Sequence, residues 1–277
     1  MNSSYISRLK VWFEDYIERF SSNDTIVQEN VDLKAEHTRR VCEAILDIGG
    51  SLGLGAEDLC IAEVSALLHD IGRFEQYRRY RTFADHKSED HAALGVRVIK
   101  AEGVLRDVDP AGAEIVIRAV ECHNRAVLPA GETERSLFFI KLLRDADKVD
   151  ILRVVTEYYR NAANGRNRTI ELDLPEGDGV SDSVFEALIN GRLVRMADLK
   201  TLNDFKLLQI GWIYDMNFPR TFQIVRDKKY LEKIREVLPG DSARIAEIYQ
   251  LACEHLDRHF SPGCTSPARG CEELRNR

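Results

Sequence analysis

Three observations on the sequence predict an all-α fold. Apolar residues recur at helical spacing along most of the chain, no segment sustains the alternation of a strand, and the breaks between apolar runs fall at Gly, Pro, Ser, Asn and Asp. The 277 residues are 44% hydrophobic and 31% charged, enough to bury a core in one large domain or two small ones.

The first helix is expected between residues 4 and 20, where Ile6, Leu9, Val11, Trp12, Tyr16, Ile17 and Phe20 approximate one face. Ser21 to Asp24 supply a turn and N-caps. A long helix follows from Ile26 to Ile48, with His37 within it, and Gly49-Gly50 and Gly53 to Gly55 are expected to close it. Ala56 to Leu68 opens the next helix. Arg73 to Asp85 alternates arginines with Phe74, Tyr77, Tyr80 and Phe83, which reads as a solvated loop or surface helix, part of it meeting an anionic substrate. Ser88 is expected to cap a helix from Glu89 to Glu102 that carries His91. Asp109-Pro110 starts another, ending at His123-Asn124. Glu134 to Tyr159 is a long helix with carboxylates in its middle, a costly place unless they are paired or bind metal. Asn161 to Gly179 reads as a linker with a short β-like stretch from Thr169 to Leu174. Helices return from Ser183 to Phe260, with breaks near Gly191, Gly211, Pro219 and Pro239-Gly240, and Ser261 to Arg277 reads as a flexible tail.

Several function classes are disfavoured. No run approaches about 18 uncharged apolar residues, so no membrane span is expected. Lys10, Glu14, Asp15, Glu18 and Arg19 interrupt the first apolar run, unlike a signal or transit peptide, and a cytoplasmic location is expected. The net charge of −7 argues against a nucleic-acid polymer as partner. The six cysteines form no C-x-x-C pair, and Cys42, Cys60 and Cys122 read as buried small residues.

The chemistry centres on Ala66 to Arg73, an apolar helix that ends in His69, Asp70 and Gly72. Adjacent residues on a helix diverge by about 100°, so His69 and Asp70 serve one site only at a helix end, which Gly72 is expected to break. The other chemistry-capable residues on helical segments are His37, His91, His123 and Asp147, and a bundle of these segments can aim them inward. His86 reads as a surface residue, and His255 and His259 form an i, i+4 pair apart from the rest.

The order H…HD…H…H…D, with the HDIGR turn, S-x-x-H at 88–91, HNR at 123–125 and RDADK at 144–148, resembles the HD superfamily of metal-dependent phosphohydrolases across residues 30 to 155. The resemblance implies an HD-type helical bundle, and the helical pattern beyond it an α-helical C-terminal extension expected to cover or shape the pocket. Its organisation would be an N-terminal helix (1–24), a catalytic core (25–160), the extension (161–260) and the tail (261–277). It also implies that His37, His69, Asp70 and Asp147 hold a first metal, and that Asp70 bridges to a second bound by His91 and His123. Imidazole with carboxylate suits one or two ions of Mn, Fe, Ni, Co or Zn rather than Ca or Mg.

The family pattern favours Asp147 over Asp145 as ligand, leaving Asp145 for proton transfer. Asp70 and Lys148 join it as catalytic candidates, and Arg73, Arg125 and Lys148 are candidate phosphate contacts. The G-Y-P branch of cyclic-dinucleotide phosphodiesterases is not matched, since Arg73 replaces the lysine of HDxGK and no HH pair follows. The expected activity is hydrolysis of a small phosphorylated substrate by a metal-activated water. The same ligand order also resembles the di-iron oxygenases related to myo-inositol oxygenase, and a non-catalytic nucleotide-sensing module is a third reading. A homo-oligomer is compatible with the sequence.

Overall fold

The computed structural model of the protein describes residues 1–161 and 170–260, and among them there are helices and turns but no strand. No helix among these residues is long and apolar enough to cross a membrane. The chain divides into two compact units, Met1–Asp150 and Ile151–Arg277.

In the first unit, α1 (Ser3–Glu18) is capped by Asn2, whose side chain accepts from the Tyr5 N–H. It packs on α3 (Ala56–Leu68), and its Phe13 and Tyr16, with Phe20 just beyond its end, gather round Phe74 at ring-centroid distances of 6.1, 6.4 and 5.8 Å. Every residue of α3 from Cys60 to Leu68 is buried. An all-round buried helix lies at the middle of a bundle, so the residue that follows its last turn emerges deep inside. That residue is His69.

The second helix, α2 (Thr25–Ser51), is capped by Asp24 through the N–H groups of Ile26 and Val27. Of the glycines expected to close it, Gly49-Gly50 stay within the helix, whereas the chain reverses at Gly53 with φ +71°. Gly49 lets Leu59 pack close, since a Cβ there would lie 3.1 Å from its side chain.

Gly72 does not break a helix either. The break falls at Asp70 (φ −102°, ψ 14°), and Gly72 is the second residue of α4 (Ile71–Tyr80). A Cβ there would stand 2.3 Å from the carbonyl oxygen of His91 and 2.6 Å from the Gly95 nitrogen. The glycine therefore permits close packing of α4 on α5 (His91–Glu102). The arginine-aromatic run is helical as far as Tyr80, one of the two expected forms, but α4 is not wholly on the surface: it buries Phe74, Glu75, Gln76 and Tyr77 and leaves Arg78, Arg79 and Tyr80 outside. Asp90, not Ser88, caps α5 by accepting from the Ala93 N–H, while the Ser88 hydroxyl is engaged by Ala84 O and Gln76. Asp109 caps α6 (Pro110–Cys122), with Pro110 opening the helix as expected.

The long helix α7 (Glu134–Arg160) crosses the division between the units. In the second unit, α8 (Asp182–Ile189), α9 (Leu202–Gly211), α10 (Pro219–Asp227), α11 (Tyr230–Arg235) and α12 (Ala243–Arg258) enclose a core that includes Leu188, Leu207, Ile210, Phe222 and Ile248. The expected breaks fall between these helices. The β-like stretch is a turn where it is described: Leu172 and Asp173 take left-handed conformations, φ 54° and 58°, that no strand accommodates. Thr169 and the tail from Ser261 lie outside the described residues.

Candidate metal centre

Six side chains converge from the ends and middles of five helices. His37 lies in the middle of α2, His69 caps the C-terminus of α3, Asp70 sits in the α3–α4 break, His91 is the first residue of α5, His123 caps the C-terminus of α6, and Asp147 lies on α7. The structure thus brings together all six residues singled out as metal-capable in the sequence.

Two pairs of imidazoles face each other through Nε2, His37 with His69 at 3.2 Å and His91 with His123 at 3.1 Å. Asp70 lies between the pairs. Its Oδ2 is 3.6 Å from His37 Nε2 and 3.8 Å from His69 Nε2, and its Oδ1 is 3.4 Å from His91 Nε2 and 3.8 Å from His123 Nε2. Asp147 Oδ1 adds contacts of 3.1 Å to His37 Nε2 and 3.7 Å to His69 Nε2.

The other ring nitrogen of each histidine is held from behind. The same local geometry recurs at two helix ends: His69 Nδ1 meets the Ala66 carbonyl and His123 Nδ1 the Val120 carbonyl, each at 2.7 Å and three residues back. A carbonyl only accepts, so Nδ1 carries a proton in both rings, and the neutral form of each ring presents Nε2 as a lone pair. His37 Nδ1 meets Asp150 Oδ2 at 2.7 Å, and His91 Nδ1 meets Asp85 Oδ2 at 2.7 Å. Buried lone pairs aimed at one another repel unless a cation or proton lies between them. Donors sharing an ion at about 2.0–2.2 Å stand roughly 3.0–3.5 Å apart, close to the spacing here. The donor set, its spacing and its backing carbonyls and carboxylates fit a divalent metal.

The protonation states of His69, His91, Asp70 and Asp147 fit as well. Burial pushes His69 down to about 4, and burial followed by the charge of Arg73 does the same to His91, so both are neutral at pH 7. Burial opposes the charge on Asp70, but Lys34, His69 and Arg73 hold its carboxyl well below the usual range. Against the same opposition from burial, the hydrogen bond from His37 keeps Asp147 ionised. His37 is raised: burial and Lys34 disfavour its protonation, but Asp147 and Asp150 outweigh them.

Three supporting residues escaped the sequence reading. Lys34 Nζ lies 2.8 Å from Asp70 Oδ2, Asp85 holds His91, and Asp150 holds His37 while accepting from Arg40 Nε at 2.6 Å. Lys34 and His37 are three apart, as are Asp147 and Asp150, so helical phase alone would have put each on its neighbour's face. Asp85 belongs to a short turn, Asp85–Lys87, for which the sequence carries no comparable signal.

The remaining candidates are placed as follows. Arg73 contacts Asp70 Oδ1 at 3.3 Å and also donates to Gln76 Oε1, the Phe83 carbonyl and Asp85 Oδ1, at 2.9, 2.6 and 3.0 Å. Its guanidinium is a brace between Asp70 and Asp85. The Arg125 side chain is 44% exposed, 3.7 Å from Glu121. Lys148 is buried beside Asp147, and Asp145 is completely buried and absent from every described metal-capable group. His86 is exposed, as expected. His255 and His259 belong to an aromatic cluster, with His259 stacked on Phe222 at 3.6 Å, and enter no described group of three ligands.

No curated protein and no solved structure matches the chain. The family model of the HD domain matches residues 35–152. That span contains the histidine–aspartate pair at 69–70 and the four other convergent ligands. Residues 35–152 are therefore similar to an HD domain, and the histidine and aspartate cluster within them fits an HD metal site.

Proposed function

We propose that the protein hydrolyses a small phosphate ester, a nucleotide or another small phosphorylated compound, at a centre of two divalent transition metal ions. The HD domain supports metal-dependent phosphohydrolase chemistry in general. The observation that carries the two-ion reading is Asp70, which turns one carboxylate oxygen toward each pair of imidazoles. His37, His69, Asp70 and Asp147 would hold one ion, and Asp70, His91 and His123 the other. Mixed nitrogen and oxygen donors favour Mn, Fe, Ni, Co or Zn.

Such ions, when bound, act as Lewis acids toward phosphoryl oxygens and lower the pKa of water so that it attacks at neutral pH. The chain supplies orientation and charge. The Ala66 and Val120 carbonyls, Asp85 and Asp150 fix the four rings with Nε2 inward, so no reorientation is needed when ligands bind. Arg73 holds Asp70 and Asp85 in register. In this reading Lys148 acts as a point charge toward phosphate, Arg125 offers a bidentate fork, and Asp145 tunes proton transfer.

A panel of phosphomonoesters and phosphodiesters, run with each of the five metals and assayed for released phosphate, tests the reading. Phosphate release with redox-inert Zn, or with Mn in the absence of dioxygen, supports it. Iron-dependent consumption of dioxygen without phosphate release would replace it with the oxygenase.

A further inference from the structure

Asp70 is met by two cations, and they are not equivalent. Arg73 is locked by three acceptors besides Asp70, so its guanidinium has little freedom. Lys34 has Asp70 as its one hydrogen-bonding partner in the described residues, at 2.8 Å, and lies 5.2 Å from the centroid of the Phe83 ring. Its ammonium sits at the end of a flexible four-carbon stem whose side chain is 16% exposed.

The oxygen that Lys34 contacts, Oδ2, is the one turned toward His37 and His69. An ammonium and a divalent cation compete for the lone pairs of that oxygen and repel each other. In the metal-loaded protein Lys34 therefore gives up Asp70 and its ammonium turns to another acceptor beside the site. A half-dry ammonium without an anion is unfavourable, and the face of Phe83 only partly compensates. The anion brought by the reaction proposed above is the phosphoryl group.

We propose that Lys34 is a phosphate-binding residue: in the loaded enzyme it leaves Asp70 and donates to a non-bridging phosphoryl oxygen of the substrate, with the Phe83 ring guiding the ammonium. This inference rests on the phosphohydrolase reading and adds to it a residue one helical turn before His37.

Two titrations test it on the full chain, wild type against Lys34→Met and Lys34→Arg. The first measures Mn²⁺ affinity by calorimetry without phosphate. Lys34→Met is expected to bind Mn²⁺ as tightly as wild type or more tightly, because a competing cation is gone. The second measures inorganic phosphate binding to the Mn-loaded proteins. Loss of a charge-assisted hydrogen bond predicts roughly ten- to hundredfold weaker phosphate binding by Lys34→Met, partly restored in Lys34→Arg.

Phosphate affinity unchanged in Lys34→Met, with wild type binding phosphate, overturns the role of Lys34 and leaves the phosphohydrolase reading standing. Weaker Mn²⁺ binding by Lys34→Met also overturns it, because Lys34 would then be a structural support for Asp70. A wild type that binds no phosphate overturns both readings. If Lys34→Met does not fold, Lys34→Gln decides by the same two titrations.

Discussion

Replacing Asp150 by Asn should weaken metal binding although Asp150 is not among the inward-facing donors. Its carboxylate accepts from His37 Nδ1 at 2.7 Å and from Arg40 Nε and Nη2 at 2.6 and 3.1 Å. It is ionised despite burial because His37 and Arg40 both face it. Asparagine keeps the shape but has one accepting oxygen for three donors. If that oxygen stays with Arg40, the amide NH₂ faces His37 Nδ1 and favours the tautomer with its proton on Nε2, the nitrogen needed as a ligand. Partners of this kind change metal affinity by about 10- to 100-fold, equivalent to about 1.4–2.7 kcal/mol. The tautomer conflict points to the upper half of that range. Calorimetric titration of Mn²⁺ into metal-stripped Asp150→Asn measures it, with Glu36→Gln, which touches only the exposed side of Arg40, as a control expected to match wild type. A folded Asp150→Asn that binds Mn²⁺ within twofold of wild type would refute the reasoning.

Asp147→Asn should lower metal occupancy strongly, since Asp147 Oδ1 stands 3.1 Å from His37 Nε2, whereas Asp145→Asn should keep occupancy and change turnover or its pH profile; the reverse order in metal analysis would exchange their roles. Gly72→Ala should lower Tm by several degrees, because a Cβ 2.3 Å from backbone forces α4 off α5, at the roughly 1–3 kcal/mol typical of overpacking; an unchanged Tm would contradict the close approach. Metal-free protein should lose stability as pH falls from about 6.5 to 4. His69 and His91, pushed down to about 4 by burial, bind fewer protons folded than unfolded in that window. His37, which is raised, acts in the opposite sense and partly offsets them, its contribution being lost as pH rises through its folded value. Below about pH 4, protonation of Asp85 and Asp150, both held low in the fold, removes more. A urea midpoint that rises between pH 6.5 and 4.5 would contradict this.

The helices were legible because their apolar spacing is local information: α1, α3, α6 and α7 lie close to where periodicity and caps put them. The convergent ligands were legible because each sits at a helix end or on a helix face fixed by phase. What the sequence hid was mostly the use of glycine and of partners distant in the chain. Gly49 and Gly72 read as breakers from local propensity, yet tertiary contact with Leu59 and with the α5 backbone dictates them. Ser88 and Asp90 are both good caps by composition, and only the demand of Gln76 for the Ser88 hydroxyl separates them. Arg73 read as an anion contact because a sequence shows a charge but not the Asp70, Gln76, Phe83 and Asp85 acceptors that already occupy it.

In the function proposed above, Asp70 joins two metal-binding halves into one centre. Electron paramagnetic resonance of the protein loaded with two equivalents of Mn²⁺ addresses it directly, because two ions sharing a carboxylate are exchange-coupled. Wild type is expected to give a coupled multiline spectrum that reverts to the six-line signal of isolated Mn²⁺ in His91→Ala. A six-line spectrum from wild type at full loading would contradict it.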